Sequence, residues 1–239
     1  MTSITERWQR VHAQVQEAAR AAGRPEGSVR LVAVSKTHGA EAVVEAFRAG
    51  AVDFGENRVQ ELRSKRDKVA RLLGAEAAGT IRWHFIGGLQ SRKVRELVPV
   101  HLVHSIERAS QLKELDKAHD PERGPQRALI QVHIGDEDSK GGVEPGDAPA
   151  FVEKAMARSG VEVVGLMCIP PWREELDDAR RDFERLVEVR EACRARLGRA
   201  DALPELSMGM SHDFTQAIAA GATLVRVGTA IFGERDYGA

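Results

Sequence analysis

Lys36 closes a short apolar run, Val32-Ala33-Val34-Ser35-Lys36. Lysine is rarely buried, so its place there has two readings. It is either a solvated residue opening a loop or a partly desolvated amine. Loss of water disfavours an ammonium ion and frees its lone pair to attack a carbonyl carbon. A second set of polar groups follows near the end of the chain, in Leu224-Val225-Arg226-Val227-Gly228-Thr229. Arg226 alternates with two valines, so in a strand it faces the opposite side from them. Gly228 would let a backbone N–H approach an anion with no side chain in the way, and Thr229 adds a hydroxyl donor. Just upstream, Ser207-Met208-Gly209-Met210-Ser211 supplies two hydroxyls and a glycine ahead of a helical segment. Ser211 is expected to cap that helix and, at the same place, to help hold an anion.

These groups are useful only if the elements that carry them meet. The chain opens with a helix: Ser3-x-x-Glu6 has the form of a capping box, and Ile4, Trp8, Val11, Val15, Ala18, Ala19 and Ala22 recur at helical spacing until Gly23 and Pro25. Strands and helices then alternate. Strands are expected over 31–35, 52–55, 83–86, 102–106, 128–134, 163–167, 206–208 and 223–227. Helices are expected over 40–49, 59–73, 92–97, 109–118, 149–158, 176–197 and 214–220. Strands that read as continuous apolar runs between helices indicate a parallel sheet buried on both faces. Eight of them predict an α/β fold, a single (β/α)8 TIM-type barrel with an extra N-terminal helix. The alternative is an open doubly wound sheet, but no G-x-G-x-x-G or P-loop follows any strand. In such a barrel the site lies at the C-terminal strand ends, with phosphate commonly held after strands seven and eight. Strands one and eight are neighbours once the barrel closes. Lys36 and the Arg226–Thr229 segment can then face one small ligand, and an aldehyde carrying a phosphate fits both.

Composition narrows the classes. The chain has 239 residues, 42% hydrophobic and 30% charged, with 35 Lys+Arg against 36 Asp+Glu. That supplies a core, fits one domain over 1–239, and gives no basic excess for nucleic acid. No apolar run approaches the ~20 residues that span a bilayer, and Met1–Arg10 has no signal-peptide pattern. Two cysteines, Cys168 and Cys193, far apart in sequence, suit a reducing cytoplasm better than a disulfide. Cys168 follows an apolar strand and reads as packing. His101-x-x-His104 falls on a strand and reads as structural, so no metal site is expected. Asp136-Glu137-Asp138 lacks the other ligands of a calcium loop, and Glu56, Arg92 and Lys93 read as solvated surface charges.

The sequence also resembles a known family, the pyridoxal phosphate homeostasis proteins, whose fold is similar to the N-terminal barrel of alanine racemase. The matching stretches run in order along nearly the whole chain: Val32–Lys36, Phe54–Leu62, Trp83–Lys93, Val103–Glu107, Ile134–Gly142, Gly165–Pro171, Leu206–Phe214 and Val225–Gly233. The resemblance implies pyridoxal 5′-phosphate as cofactor and Lys36 as its Schiff-base lysine. It implies Arg226 near the ring nitrogen, Ser211, Gly228 and Thr229 at the phosphate, and Asn57 in the pocket; Ser207 is grouped with them as a binding hydroxyl. Three positions depart from the family pattern. Arg58 stands where a Tyr is frequent, Arg92 where an Asn is frequent and Thr215 where a Glu is frequent.

A handler of the cofactor is expected rather than an enzyme. Pyridoxal phosphate withdraws electrons best with a protonated ring nitrogen, which a fixed positive charge at Arg226 disfavours. Racemisation needs a second acid–base group, which the related racemase supplies as a tyrosine from a second domain. The only tyrosine here is Tyr237, two residues from the last one. Pyridoxal phosphate, and apo-enzymes that use it, are the expected partners of a monomer. A racemase or lyase using His212 or Asp213 as base is the alternative, and a cofactor-free phosphosugar barrel is a third reading.

Overall fold

A computed structural model describes residues 2–97, 99–135 and 141–234. Among these, eight parallel strands close into a barrel in chain order. They are β1 (Arg30–Val34), β2 (Asp53–Glu56), β3 (Arg82–Phe85), β4 (Leu102–Ile106), β5 (Gln126–Gln131), β6 (Val161–Met167), β7 (Glu205–Ser207) and β8 (Leu224–Val227). The first helix, α1 (Ile4–Ala21), begins in the expected capping box: Glu6 N–H donates to Ser3 Oγ and Ser3 N–H to Glu6 Oε2. It buries Trp8, Val11, Val15 and Ala19. The helices between strands are α2 (Ala40–Arg48), α3 (Val59–Leu73), α4 (Ala75–Gly79), α5 (Val94–Leu97), α6 (Ala109–Ala118), α7 (Ala148–Met156), α8 (Leu176–Leu197) and α9 (Phe214–Ala220), and α10 (Thr229–Phe232) follows β8. α1 packs on α2, α9 and α10, over the seam where β1 meets β8. Among the described residues, no helix is long and apolar enough to cross a membrane.

The barrel wall separates two unlike zones. Alternate residues of each strand face outward into one large apolar cluster with the helices, as Leu31, Ala33, Trp83, Phe85, Val225 and Val227 do. The inward cluster is small: Val32, Leu102, Leu129, Val164, Met167 and Leu224. Branched apolar side chains usually fill such an interior in layers. Buried polar groups take part of that space here, among them Asp53, His84, His104, Ser207 and Arg226.

Several expected boundaries shift. β1 ends at Val34, so Lys36 lies two residues past the ladder, although Ser35 N–H still reaches Gly55 O at 3.1 Å. β5 stops at Gln131, and Val132 beyond it bridges to Val143 while its N–H still reaches Met167 O at 2.8 Å. The expected helix over 92–97 divides into a 3₁₀ turn, Ser91–Lys93, and the short α5. α4 and α10, one turn each, were not expected; a single turn is too short to show a 3.6-residue period. The segments at Asp136-Glu137-Asp138 and Tyr237 lie outside the described residues.

Glu56 corrects the sequence reading. It is fully buried, between the barrel and α3, with Lys65 against it. Lys65 Nζ donates to Glu56 Oε1 at 2.6 Å, to Ser35 O at 2.7 Å and to Glu61 Oε1 at 2.9 Å. Ser35 Oγ donates to Glu56 Oε1 at 2.6 Å, and Thr37 N–H to Glu61 Oε1 at 2.7 Å. Burial pushes the Glu56 carboxyl up and the Lys65 charge pulls it back. The backbone on both sides of Lys36 is therefore fastened to α3 and β2. Lys65→Met should leave a buried carboxylate without its counter-charge and cost about 3–5 kcal/mol, read by urea unfolding. Lys65→Met with Glu56→Gln should recover part of that loss. A single variant within about 0.5 kcal/mol of the parent would show that the cluster does not hold this corner.

Candidate functional site

A cleft of about 500 Å³ opens at the C-terminal ends of the strands. Six of the seven candidate residues line it: Lys36, Asn57, Ser211, Arg226, Gly228 and Thr229. Their neighbourhood follows from barrel closure. β1 pairs with β8 in parallel, with Val32 opposite Arg226 and Ala33 opposite Val227, so the loops after both strands emerge side by side. Ser207 is the exception. It is fully buried beneath Arg226, where its Oγ accepts from Arg226 Nη1 at 2.6 Å.

The Lys36 segment is preorganised. Thr37 sits at φ 70°, a left-handed conformation that a β-branched residue rarely adopts. Such strain persists where the surroundings over-determine it, and the Glu61 hydrogen bond to Thr37 N–H is one such constraint. Across the seam, a Cβ at Gly228 would stand 3.2 Å from Val34 O. A side chain there would crowd β1 and the cleft together. Asn57 follows β2 and is set by the next strand's loop, where a Cβ on Gly87 would fall 2.2 Å from Asn57 O. Asn57 Oδ1 is buried and has no hydrogen-bond partner in the protein, an unmet acceptor beside the cleft.

Arg226 is 5% exposed. Besides Ser207, it donates from Nη2 to Cys168 O at 2.9 Å. Burial pulls its guanidinium down from its ordinary value, with the Cys168 and Asp213 side chains acting the other way. Guanidinium remains charged in proteins. Cys168 is packing material, as expected: burial pushes its thiol up to about 12, so no thiolate is available near neutrality. Cys193 is likewise buried and free.

Ser211 does not cap the following helix. α9 starts at Phe214 with Asp213 as N-cap, and Asp213 Oδ1 accepts from Met210 N–H at 2.6 Å, which closes the turn that carries Ser211. Asp213 is buried and spent on that turn, whereas His212 lines the cleft. The Trp172 ring, 69% exposed, stacks on His212 with centroids 6.2 Å apart, and His38 stacks on Phe232 at 5.2 Å. Arg58, Arg92 and Thr215, the three departures, are all exposed. Sequence reasoning missed the Glu56–Lys65–Glu61 cluster, Trp172 and His38. Lys65 carried a usable signal: it falls on the buried stripe of α3 with Val59, Leu62 and Val69.

Comparison with known proteins agrees with this fold. The family model described as "Alanine racemase, N-terminal domain" matches residues 7–236. The pyridoxal phosphate homeostasis protein of Aquifex aeolicus is 42% identical over 233 residues, 97% of this chain and 98% of that protein. The human protein of the same name is 40% identical over 217 residues, 87% of this chain and 77% of its own. Among solved structures, PipY of Synechococcus elongatus with PLP bound superposes with a TM-score of 0.82 at 32% identity, covering 97% of this chain and all of that one. The chain belongs to the alanine racemase N-terminal domain family and, within it, to the pyridoxal phosphate homeostasis proteins.

Proposed function

We propose that this chain holds pyridoxal 5′-phosphate on Lys36 as a Schiff base and serves in cofactor homeostasis, as a carrier or buffer with no dedicated reaction of its own. The observation that carries this reading is the convergence of the Lys36 amine, the Arg226 guanidinium and the Ser211–Thr229 hydroxyls on one cleft. The donor set suits the group. An amine can condense with the aldehyde, hydroxyls and the approach left open at Gly228 can take the phosphate, and the unmet Asn57 acceptor awaits a donor. The relatives' shared name and the PLP bound to PipY support the same assignment. Ser207 acts at one remove, by holding Arg226.

Arg226 supports a handler over an enzyme. Guanidinium only donates, so a ring nitrogen facing it is an acceptor and stays unprotonated, which weakens the cofactor as an electron sink. The alternative, a racemase or lyase, finds one specific support in His212, whose side chain is 35% exposed at the cleft. Incubation of the loaded protein with L-alanine and other amino acids separates the two: stereoselective product formation would favour the enzyme. We further propose a monomer of one domain over 1–239, working in the cytoplasm and loading apo-enzymes. The two buried free thiols suit a reducing compartment.

Borohydride treatment of the loaded protein should fix a pyridoxyl group on the peptide containing Lys36. A label confined to another lysine, such as Lys93, would reject the assignment. Gly228→Asp should weaken pyridoxal phosphate binding at least about tenfold (~1.4 kcal/mol) by placing a carboxylate where the dianion sits. Unphosphorylated pyridoxal should bind the variant nearly as well as the parent. Equal losses for the two ligands, in a variant that keeps the parent's melting temperature, would mean that the phosphate lies elsewhere.

A further inference from the structure

The floor of the cleft continues into a line of hydrogen bonds that crosses the barrel. From Ser207 Oγ, which accepts from Arg226, it is 2.8 Å to His104 Nδ1. His104 Nε2 lies 2.9 Å from His84 Nδ1, and His84 Nε2 lies 2.9 Å from Asp53 Oδ1. Arg82 holds the far end, with Nε 2.7 Å from Asp53 Oδ1 and Nη2 2.5 Å from Oδ2. Asp53 and Arg82 begin β2 and β3, whereas Ser207 ends β7. The line therefore runs from the N-terminal end of the barrel to the base of Arg226. His84 and His104 are fully buried.

The direction of each bond is fixed by the two ends. Arg226 can only donate, so Ser207 Oγ accepts there and keeps its own proton for His104 Nδ1. Against the effect of burial, the hydrogen bonds from Arg82 and His84 hold the Asp53 carboxyl well below the usual carboxylate range. It is a pure acceptor, and His84 Nε2 must carry hydrogen. The 2.9 Å contact between His84 Nδ1 and His104 Nε2 has room for one proton, and burial lowers both imidazoles, outweighing Asp53 at His84, which favours two neutral rings. His84 Nδ1 then accepts from His104 Nε2–H, and His104 Nδ1 accepts from Ser207. Besides Asp53 and Arg226, the titratable groups bearing on the two rings are His101, Arg30 and Arg82, and those bearing on Arg226 are Cys168 and Asp213. Every link turns its negative end toward Arg226, and such chains polarise one another in a low dielectric. That matters because, among the described residues, the two hydrogen-bond partners of Arg226, a hydroxyl and a carbonyl, are neutral. A buried cation without compensation is costly.

We propose that Asp53, His84, His104 and Ser207 are positioning residues that hold Arg226 in one orientation, as a charged donor toward the cleft. What Arg226 meets there rests on the pyridoxal phosphate reading; the polarity of the line does not. A cation at the N-terminal end is the competing use of the same groups, since ligand atoms of Asp53, His84 and His101 all lie within 4.8 Å of one another. Both Asp53 oxygens are already engaged by Arg82 and His84, so ion and relay exclude each other.

The test has an arm without cofactor and an arm with it. In apo protein labelled with ¹⁵N-histidine, long-range ¹⁵N–¹H spectra should show His84 and His104 as neutral Nε2–H tautomers from about pH 6 to 8. An Nδ1–H tautomer at His104, or Zn²⁺ bound by the parent and lost in Asp53→Asn, overturns the proposal. In the loaded protein, His104→Leu and Ser207→Ala should each weaken binding about tenfold and shift the pH profile of the bound cofactor's absorption. His104→Gln should restore both, because its amide offers an acceptor and a donor to the same two neighbours. Spectrum, pH profile and affinity unchanged in Ser207→Ala would equally overturn it; should His104→Leu not fold, Ser207→Ala and His104→Gln carry the decision. Failure of the parent to bind pyridoxal phosphate would remove the functional reading, and the tautomers would still decide the relay.

Discussion

The pairing of the last strand with the first is the constraint on which the cleft depends. Arg30 through Ala33 run in register with Leu224 through Val227. Parallel alignment sends both chains out of the barrel at the same end. Lys36 and Thr229, near opposite ends of the sequence, become walls of one cleft for that reason. β7 joins the same edge through Ser207 opposite Leu224, which adds the Ser211 turn. The close approach at Gly228 is part of the fit, since a Cβ there would sit 3.2 Å from the Val34 carbonyl. Helix α1 secures the seam from outside, packing on α10, where Arg7 Nε donates to Ile231 O at 2.6 Å.

The molecule buries two cations close to this seam and treats them differently. Lys65 has a carboxylate in direct contact, and its donors go to Glu56, Glu61 and the Ser35 carbonyl. It is committed to holding backbone. Among the described residues, the hydrogen bonds of Arg226 go to neutral acceptors and use two of its five N–H donors. The nearest carboxylate along its hydrogen-bonded line is Asp53, three side chains away. An arginine directly paired with a carboxylate would be neutralised at the cleft wall. With neutral groups as its hydrogen-bond partners among the described residues, the guanidinium keeps its charge at the cleft wall, and the buried Asp213 carboxylate offsets part of it through space.

The rim has a different character. Trp172 is largely exposed and stacks on His212, and the Ser211 turn between them and β8 is closed by Asp213. The floor is thus fixed by buried hydrogen bonds while the mouth is bounded by side chains in contact with water.

The long elements were legible from the amino acids. Helices over 59–73, 109–118 and 176–197 fall where periodicity places them, because an amphipathic stripe several turns long leaves one solution, and the bounds of the shorter helix over 214–220 and of the apolar strand over 102–106 match as well. Lys36, Arg226, Gly228 and Thr229 could be named because strand ends in a barrel of this kind project to one side. The inner line could not be read. In a closed barrel both faces of every strand are buried, so Trp-His-Phe at 83–85 tells nothing of which residue faces the helices and which faces the axis. Nor does sequence bring His84, His104, Ser207 and Arg226 together, since they come from β3, β4, β7 and β8. Glu56 was misread as a surface charge because its counter-charge, Lys65, arrives from α3 across the outside of the sheet. Local pattern fixes which residues form strands and helices; which buried polar groups meet is settled by closure and register, because a hydrogen bond needs its two atoms within about 3 Å.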